Sequence, residues 1–203
     1  MGAAMSKQPS YLFSAQTVFS LALVLGAAGF YATAPAQAFA TWIGSWDYVL
    51  RHDQEGKPQA AFARLRGESE ALLWLTCSRL TTGEDKPETL SMTATVSQKG
   101  YLGRSTSRGR STVYWFDDRS PELAYWIYRE KAGQMANAEQ VSVFLNRITE
   151  ARSLVIELSN YRYETQRSEF RFNAVDTKNV AERFRQDCRD IASLAKADSS
   201  LIR

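Results

Sequence analysis

Hydrophobic and polar positions change period several times along this chain, and each change marks an element. After an opening Trp42-Ile43-Gly44-Ser45, residues 46–52 alternate, with Trp46, Tyr48 and Leu50 on one side and Asp47 and Arg51 on the other. That period of two predicts a first strand. A turn cluster at 53–58 holds Gly56 and Pro58, residues 60–66 (AAFARLR) form a weaker second strand, and Gly67 ends it. Residues 71–77 (ALLWLTC) are apolar on both faces, which predicts a central strand with Trp74 in the core. Beyond a polar turn at 81–87, Leu90, Met92, Ala94 and Val96 alternate with Ser and Thr, so one face of that strand is wet.

Residues 100–109 (GYLGRSTSRG) combine three glycines with hydroxyls and two arginines, the composition of a mobile or specially turned loop. Two aromatic runs at 112–116 and 123–128, joined across 117–121, predict a hairpin. The period then lengthens. Asn137 is placed to cap, Gln140 stands three residues on, and Val141, Phe144, Leu145 and Ile148 keep a helical stripe, which predicts an amphipathic helix over 138–150. Strand character returns at 154–163, residues 164–168 read as a turn, and Phe170 and Phe172 mark a short strand. Asp176 or Thr177 caps a last helix with Val180, Phe184, Cys188 and Ile191 on one stripe. The fold class expected is α+β: a mostly antiparallel twisted sheet or sandwich with two amphipathic helices in a single domain over 39–197, and a frayed tail at 198–203.

The unbroken apolar or small run at 18–31 follows Lys7 and precedes Ala36-x-Ala38, a small-x-small cleavage signal. It reads as a secretory signal peptide over 1–38, cut after Ala38. The alternative is an uncleaved single-pass anchor, although the run is shorter than the roughly 20 apolar residues that span a bilayer. Lys7 is the only charge ahead of Asp47, so the exported part is nearly neutral. An oxidising compartment turns Cys77 and Cys188 into an expected structural disulfide. No Cys-x-x-Cys pattern marks a redox pair.

Composition narrows the chemistry. The whole chain has 44% hydrophobic and 23% charged residues, with 25 basic against 22 acidic side chains mixed along its length. A dedicated nucleic-acid binder is not expected. One histidine and two cysteines leave little material for a metal site or a Ser/His/Asp triad, so the expectation is no cofactor, no metal and no catalysis.

The order of elements resembles the VasI/TagO-like family of exported type VI secretion accessory proteins. The features that carry it are the tryptophan opening, the apolar strand ending at Cys77, the aromatic strand ending in Phe116-Asp117, and the Phe/Leu helix before the strand at 154–158. The Phe strand at 170–172 and the final helix reaching Cys188 complete it. Trp115 stands where the family pattern has a basic residue, and Val175-Asp176-Thr177 replaces its small-Gly-Leu start. The resemblance implies a periplasmic accessory of an envelope assembly, with an envelope protein or cell-wall component as partner and the membrane touched only through an uncleaved N-terminus.

Three features are candidates for binding or catalysis. Arg104, Arg108 and Arg110 on the glycine-rich loop have the donors of an anion pocket, with a solvated loop as the alternative. Trp115 and Trp126 suit a glycan ring or a partner protein if a sheet face is left uncovered, and core packing if it is not. Asp117 and Asp118 are adjacent and point apart on a strand, so they read as a turn rather than an acid/base pair, and His52 reads as a surface residue. The expected function is therefore a non-catalytic binding protein. A cell-wall hydrolase and a small-anion module using the arginine loop are the alternatives.

Overall fold

The computed structural model describes residues 38–80 and 89–200, with backbone alone at 39 and 195–200; residues 1–37 of the expected leader and the turn at 81–87 lie outside the described residues. Ten strands form one open antiparallel sheet in the order β1-β2-β3-β4-β5-β8-β7-β6-β9-β10. They are β1 (Ala38–Ile43), β2 (Trp46–His52), β3 (Pro58–Arg66), β4 (Leu72–Leu80), β5 (Thr89–Ser97), β6 (Arg110–Phe116), β7 (Glu122–Arg129), β8 (Ala132–Met135), β9 (Ser153–Ser159) and β10 (Thr165–Arg171). Two helices, α1 (Ala138–Glu150) and α2 (Ala174–Ser200), and a disulfide complete the architecture. Sheet dominates, so α+β describes the fold only loosely.

The first five strands form a meander whose inner face is closed by α2. Small side chains make the closure possible: Ala61, Ala63 and Ala94 are fully buried among Leu65, Leu73, Leu75 and Val96. From α2, Val180, Ala181, Phe184 and Ile191 enter the same core. Three polar or covalent ties fix the helix to the strands. Cys77 and Cys188 are bonded with Cα atoms 5.8 Å apart, a loop closure worth on the order of 4 to 5 kcal/mol in the chain-entropy model. The buried Tyr48 hydroxyl donates to Asp187 Oδ2 at 2.7 Å, and Trp46 Nε1 donates to Thr177 Oγ1 at 3.3 Å. Burial, with the adjacent Asp187 carboxylate, pushes the Tyr48 phenol well above its ordinary pKa.

Strand β7 belongs to both halves of the sheet. Glu122 to Trp126 pair with β6, while Ile127 to Arg129 pair with β8. Helix α1 leaves β8 with Asn137 as its cap, accepting from the Gln140 N–H at 2.9 Å, and buries Val141, Phe144, Leu145 and Ile148.

Several boundaries differ from the sequence expectation. Ala38, expected to end the leader, opens a separate strand β1 opposite Arg51. Its two-residue turn to β2 uses Gly44 at φ 58°, where a Cβ would overlap the Asp176 carboxylate. Strand β8 was not expected, because Ala-Gly-Gln-Met carries too short a pattern to show a period. Strand β9 stops at Ser159, since Asn160 Oδ1 accepts from Arg162 and Glu164 N–H groups and turns the chain. Residues 165–168, expected as a turn, are the start of β10, because pairing with β9 outweighs their polarity. The cap of α2 is Asn173, whose Oδ1 accepts from Val175 and Asp176 N–H groups, rather than Asp176 or Thr177. That helix runs through 198–200, expected as frayed, and 201–203 lie outside the described residues. Trp74 is corrected too: β4 is apolar on both faces, but α2 covers only the side of Leu73, Leu75 and Cys77, and Trp74 points the other way, half-buried.

Candidate binding face

Because α2 covers one face of β1 to β5, the alternate residues of those strands form an outer face, and the register lines them up in rows. In one row Trp42 lies opposite Asp47, Asp47 opposite Arg64, Arg64 opposite Trp74, and Trp74 opposite Thr95. The row continues through Gln134 to Ile127 on β7. Trp42 and Trp74 are three strand spacings apart, about 14 Å. Trp42 is 74% exposed on the edge strand. Arg64 Nε donates to Asp47 Oδ2 at 2.6 Å, and its guanidinium lies 5.1 Å from the centre of the Trp74 ring. Phe62, in the neighbouring row, carries Arg51 of the row beyond it at 5.2 Å. Cation–π contacts of this kind hold each guanidinium flat over its ring.

The face reaches the arginine loop. Ile127 and Arg129, on the outer side of β7, line an open pocket of about 610 Å³ with Arg104, Ser105, Thr106, Ser107 and Glu130. The loop is specially turned and pinned. Leu102 is buried, its N–H donating to Glu130 O at 2.5 Å, and Tyr128 N–H donates to Ser105 Oγ at 2.9 Å. Gly109 has φ 80°, and a Cβ there would stand 2.8 Å from Trp126 O.

The three loop arginines do not act alike. Arg110 turns inward, donating from Nη1 to the carbonyls of Leu102 at 2.9 Å and Ser159 at 2.8 Å, and stacking 4.7 Å from the Tyr128 ring centre. Its donors shape the loop rather than a ligand site. Arg104 and Arg108 are exposed, Arg104 paired with Glu130 at 3.5 Å.

The two expected tryptophans also part company. Trp126 is fully buried against Phe144 and Tyr114, whereas Trp115 is half-buried on β6 with Arg167 over its ring at 5.1 Å. Asp117 is a turn residue at φ 50° whose Oδ1 accepts from the Arg152 and Ser153 N–H groups, so it clips β6 to β9, while Asp118 is exposed. His52 ends β2, partly buried. Among the described residues no group of three or more His, Cys, Asp or Glu has metal-holding geometry. No protein-family model matches the chain, and no curated protein or solved structure is significantly similar to it.

A second surface lies between β7 and α1. Leu123, Tyr125 and Val143, each more than half exposed, border a groove of about 600 Å³ floored by Met135 and Phe144. Glu122 and Arg147 close one side through a double hydrogen bond of 2.5 and 2.6 Å. That bond, against a smaller opposing effect of burial, holds the Glu122 carboxyl below its ordinary pKa.

The widely exposed tryptophan is neither Trp115 nor Trp126 but Trp42, on the face that also carries Phe62 and Trp74. The signal was countable. Two helices cannot cover both sides of a sheet this wide, and alanines at 61 and 63 alternating with Phe62, Arg64 and Arg66 show which side of β3 receives a helix.

Proposed function

We propose that this is an exported, non-catalytic accessory protein that works by binding an envelope component through the outer face of β1 to β5. The observation that carries the reading is the row Trp42, Asp47, Arg64, Trp74, in which an exposed indole and an oriented guanidinium share one flat surface. Tryptophan and arginine are the residues that most often dominate binding energy at interfaces. The carboxylate of that row, Asp47, is tied to Arg64, an arrangement suited to orienting a donor rather than moving protons. The leader-like start and the Cys77–Cys188 disulfide are compatible with export. The resemblance in element order supports a place beside an assembly such as type VI secretion.

Co-sedimentation of the purified exported protein with the envelope fraction of its source cells tests this. Trp42→Ala combined with Arg66→Ala, both at exposed positions, should abolish sedimentation while the melting temperature stays within a few degrees. Leu123→Ser combined with Val143→Ser, in the groove, should sediment as wild type does. The proposal fails if the face variant sediments as wild type.

A further inference from the structure

We infer that the outer face binds an acidic polysaccharide, a glycan bearing carboxylates along its chain. This rests on the outer face being the recognition surface and adds the chemistry of its ligand. Three kinds of side chain occupy adjacent rows there, and each matches a different part of such a polymer.

The first is uncompensated positive charge. Arg66 faces Leu72, Leu72 faces Ser97, Ser97 faces Ala132, and Ala132 faces Arg129, so two arginines end one row about 19 Å apart. Both are exposed, as is Arg51, and none of the three is paired with a carboxylate among the described residues. The acidic neighbours Asp47 and Glu130 are engaged by Arg64 and Arg104. A surplus of guanidinium forks spaced along a flat surface suits carboxylates spaced along a chain.

The second is a carpet of hydroxyls. Between the arginines, the outward positions of β4 and β5 include the partly exposed Thr76, Ser78, Ser91, Thr95 and Ser97, with Leu72 and Trp74 among them. Each hydroxyl both donates and accepts, as the hydroxyls of a sugar ring do. The third is the state of the aromatic rings. Phe62 and Trp74 carry Arg51 and Arg64 over their faces, so the surface offered above them is a guanidinium plane. Trp42 is left as an open indole on which the C–H face of a sugar can rest.

That third observation separates a glycan from a nucleic acid. Single-stranded nucleic acid is held by bases stacking on bare aromatic faces in series, and two of the three rings here are already covered. An anionic lipid surface uses the arginines but leaves the hydroxyl rows without partners.

The test uses polygalacturonate as the probe, titrated against the exported protein, with neutral dextran and a thymidine oligonucleotide as comparators. Polygalacturonate should bind, more weakly as salt rises, and both comparators should bind at least about tenfold more weakly at equal residue concentration. Arg66→Ala combined with Arg129→Ala should weaken polygalacturonate about tenfold or more, since hydrogen bonds to charged groups are lost. Lys178→Ala combined with Arg189→Ala, the same charge change on the exposed side of α2, should leave it unchanged. No binding, equal binding of the oligonucleotide, or equal weakening by the α2 variant each overturns the inference. If the glycan fails while Trp42→Ala with Arg66→Ala still abolishes envelope sedimentation, the ligand is a protein and the face remains the binding surface. If both fail, the face itself is not the site.

Discussion

The two faces of β1 to β5 are built from the same strands, residue by residue in alternation, and they differ in almost every chemical respect. On the inner face Ala61, Ala63, Leu73, Leu75 and Ala94 are fully buried under α2, which is bonded to them through Cys77 and Cys188. On the outer face Trp42, Phe62, Arg64 and Trp74 are large and only partly covered, and all but Phe62 carry a polar group. Alanines sit where α2 packs on β3 and β5, and larger side chains sit on the face that α2 leaves uncovered. The inner face therefore holds the fold, and the outer face is free to vary in chemistry at little cost to stability.

The largest effect is expected for a core truncation compared with a face truncation. Phe184→Ala, which empties the centre of the α2 contact, should destabilise by about 3–5 kcal/mol. Trp74→Ala should cost roughly 1–2 kcal/mol, because its ring is half in water and loses mainly the Arg64 stack. Denaturant unfolding of the two variants checks this, and equal losses would mean that Trp74 is a core residue after all.

Replacing both Cys77 and Cys188 by Ser should lower stability by about 2–5 kcal/mol while leaving the outer-face rows intact. Thiol titration of the denatured wild-type protein should find no free sulfhydryl. Two free thiols would remove the covalent part of the helix attachment.

Within the arginine loop the same division recurs at smaller scale. Arg110→Ala leaves the carbonyls of Leu102 and Ser159 without their donor and should cost about 1–3 kcal/mol. Arg104→Ala combined with Arg108→Ala should change stability by less than about 0.5 kcal/mol, since both are exposed. A melting temperature of the single variant at or above that of the double one would contradict an inward-facing Arg110.

The smallest effect is expected from acid. At Asp53 burial pulls the carboxyl upward, but N–H groups of Lys57 and Glu55 and the Arg79 guanidinium outweigh it and hold the carboxyl below its usual range. Glu122 is held down by Arg147. A carboxyl with a depressed folded pKa contributes stability that is complete above its unfolded value, near pH 4, and is lost as pH falls through the folded value. The melting temperature should thus fall between about pH 4 and pH 2, and Glu122→Gln should flatten part of that fall. An unchanged slope in the variant would show that the Glu122–Arg147 pair adds nothing to the linkage.

Element type was largely legible in the sequence, because most strands and both helices keep a clean period. Asn137 and the Val141, Phe144, Leu145, Ile148 stripe locate α1 almost to the residue. What was not legible depended on pairing. Strand β8 is four residues long, and the start of β10 is polar, so both exist because a neighbour supplies the other half of the ladder. The inward turn of Arg110 was hidden for the same reason, since Ser159 is 49 residues away along the chain. Trp74 was misplaced because an apolar strand shows that it is central and says nothing about whether both faces are covered.

The claim that the outer face is the working surface is tested most directly by a photo-crosslinking residue placed at Trp42 or at Val143 in the living source cell. Trp42 marks the outer face, and Val143 marks the β7–α1 groove, with both positions exposed. The expected result is a discrete envelope adduct from position 42, competed away by unlabelled protein, and none from position 143. An adduct from position 143 with none from position 42 would contradict the account and move the binding surface to the groove.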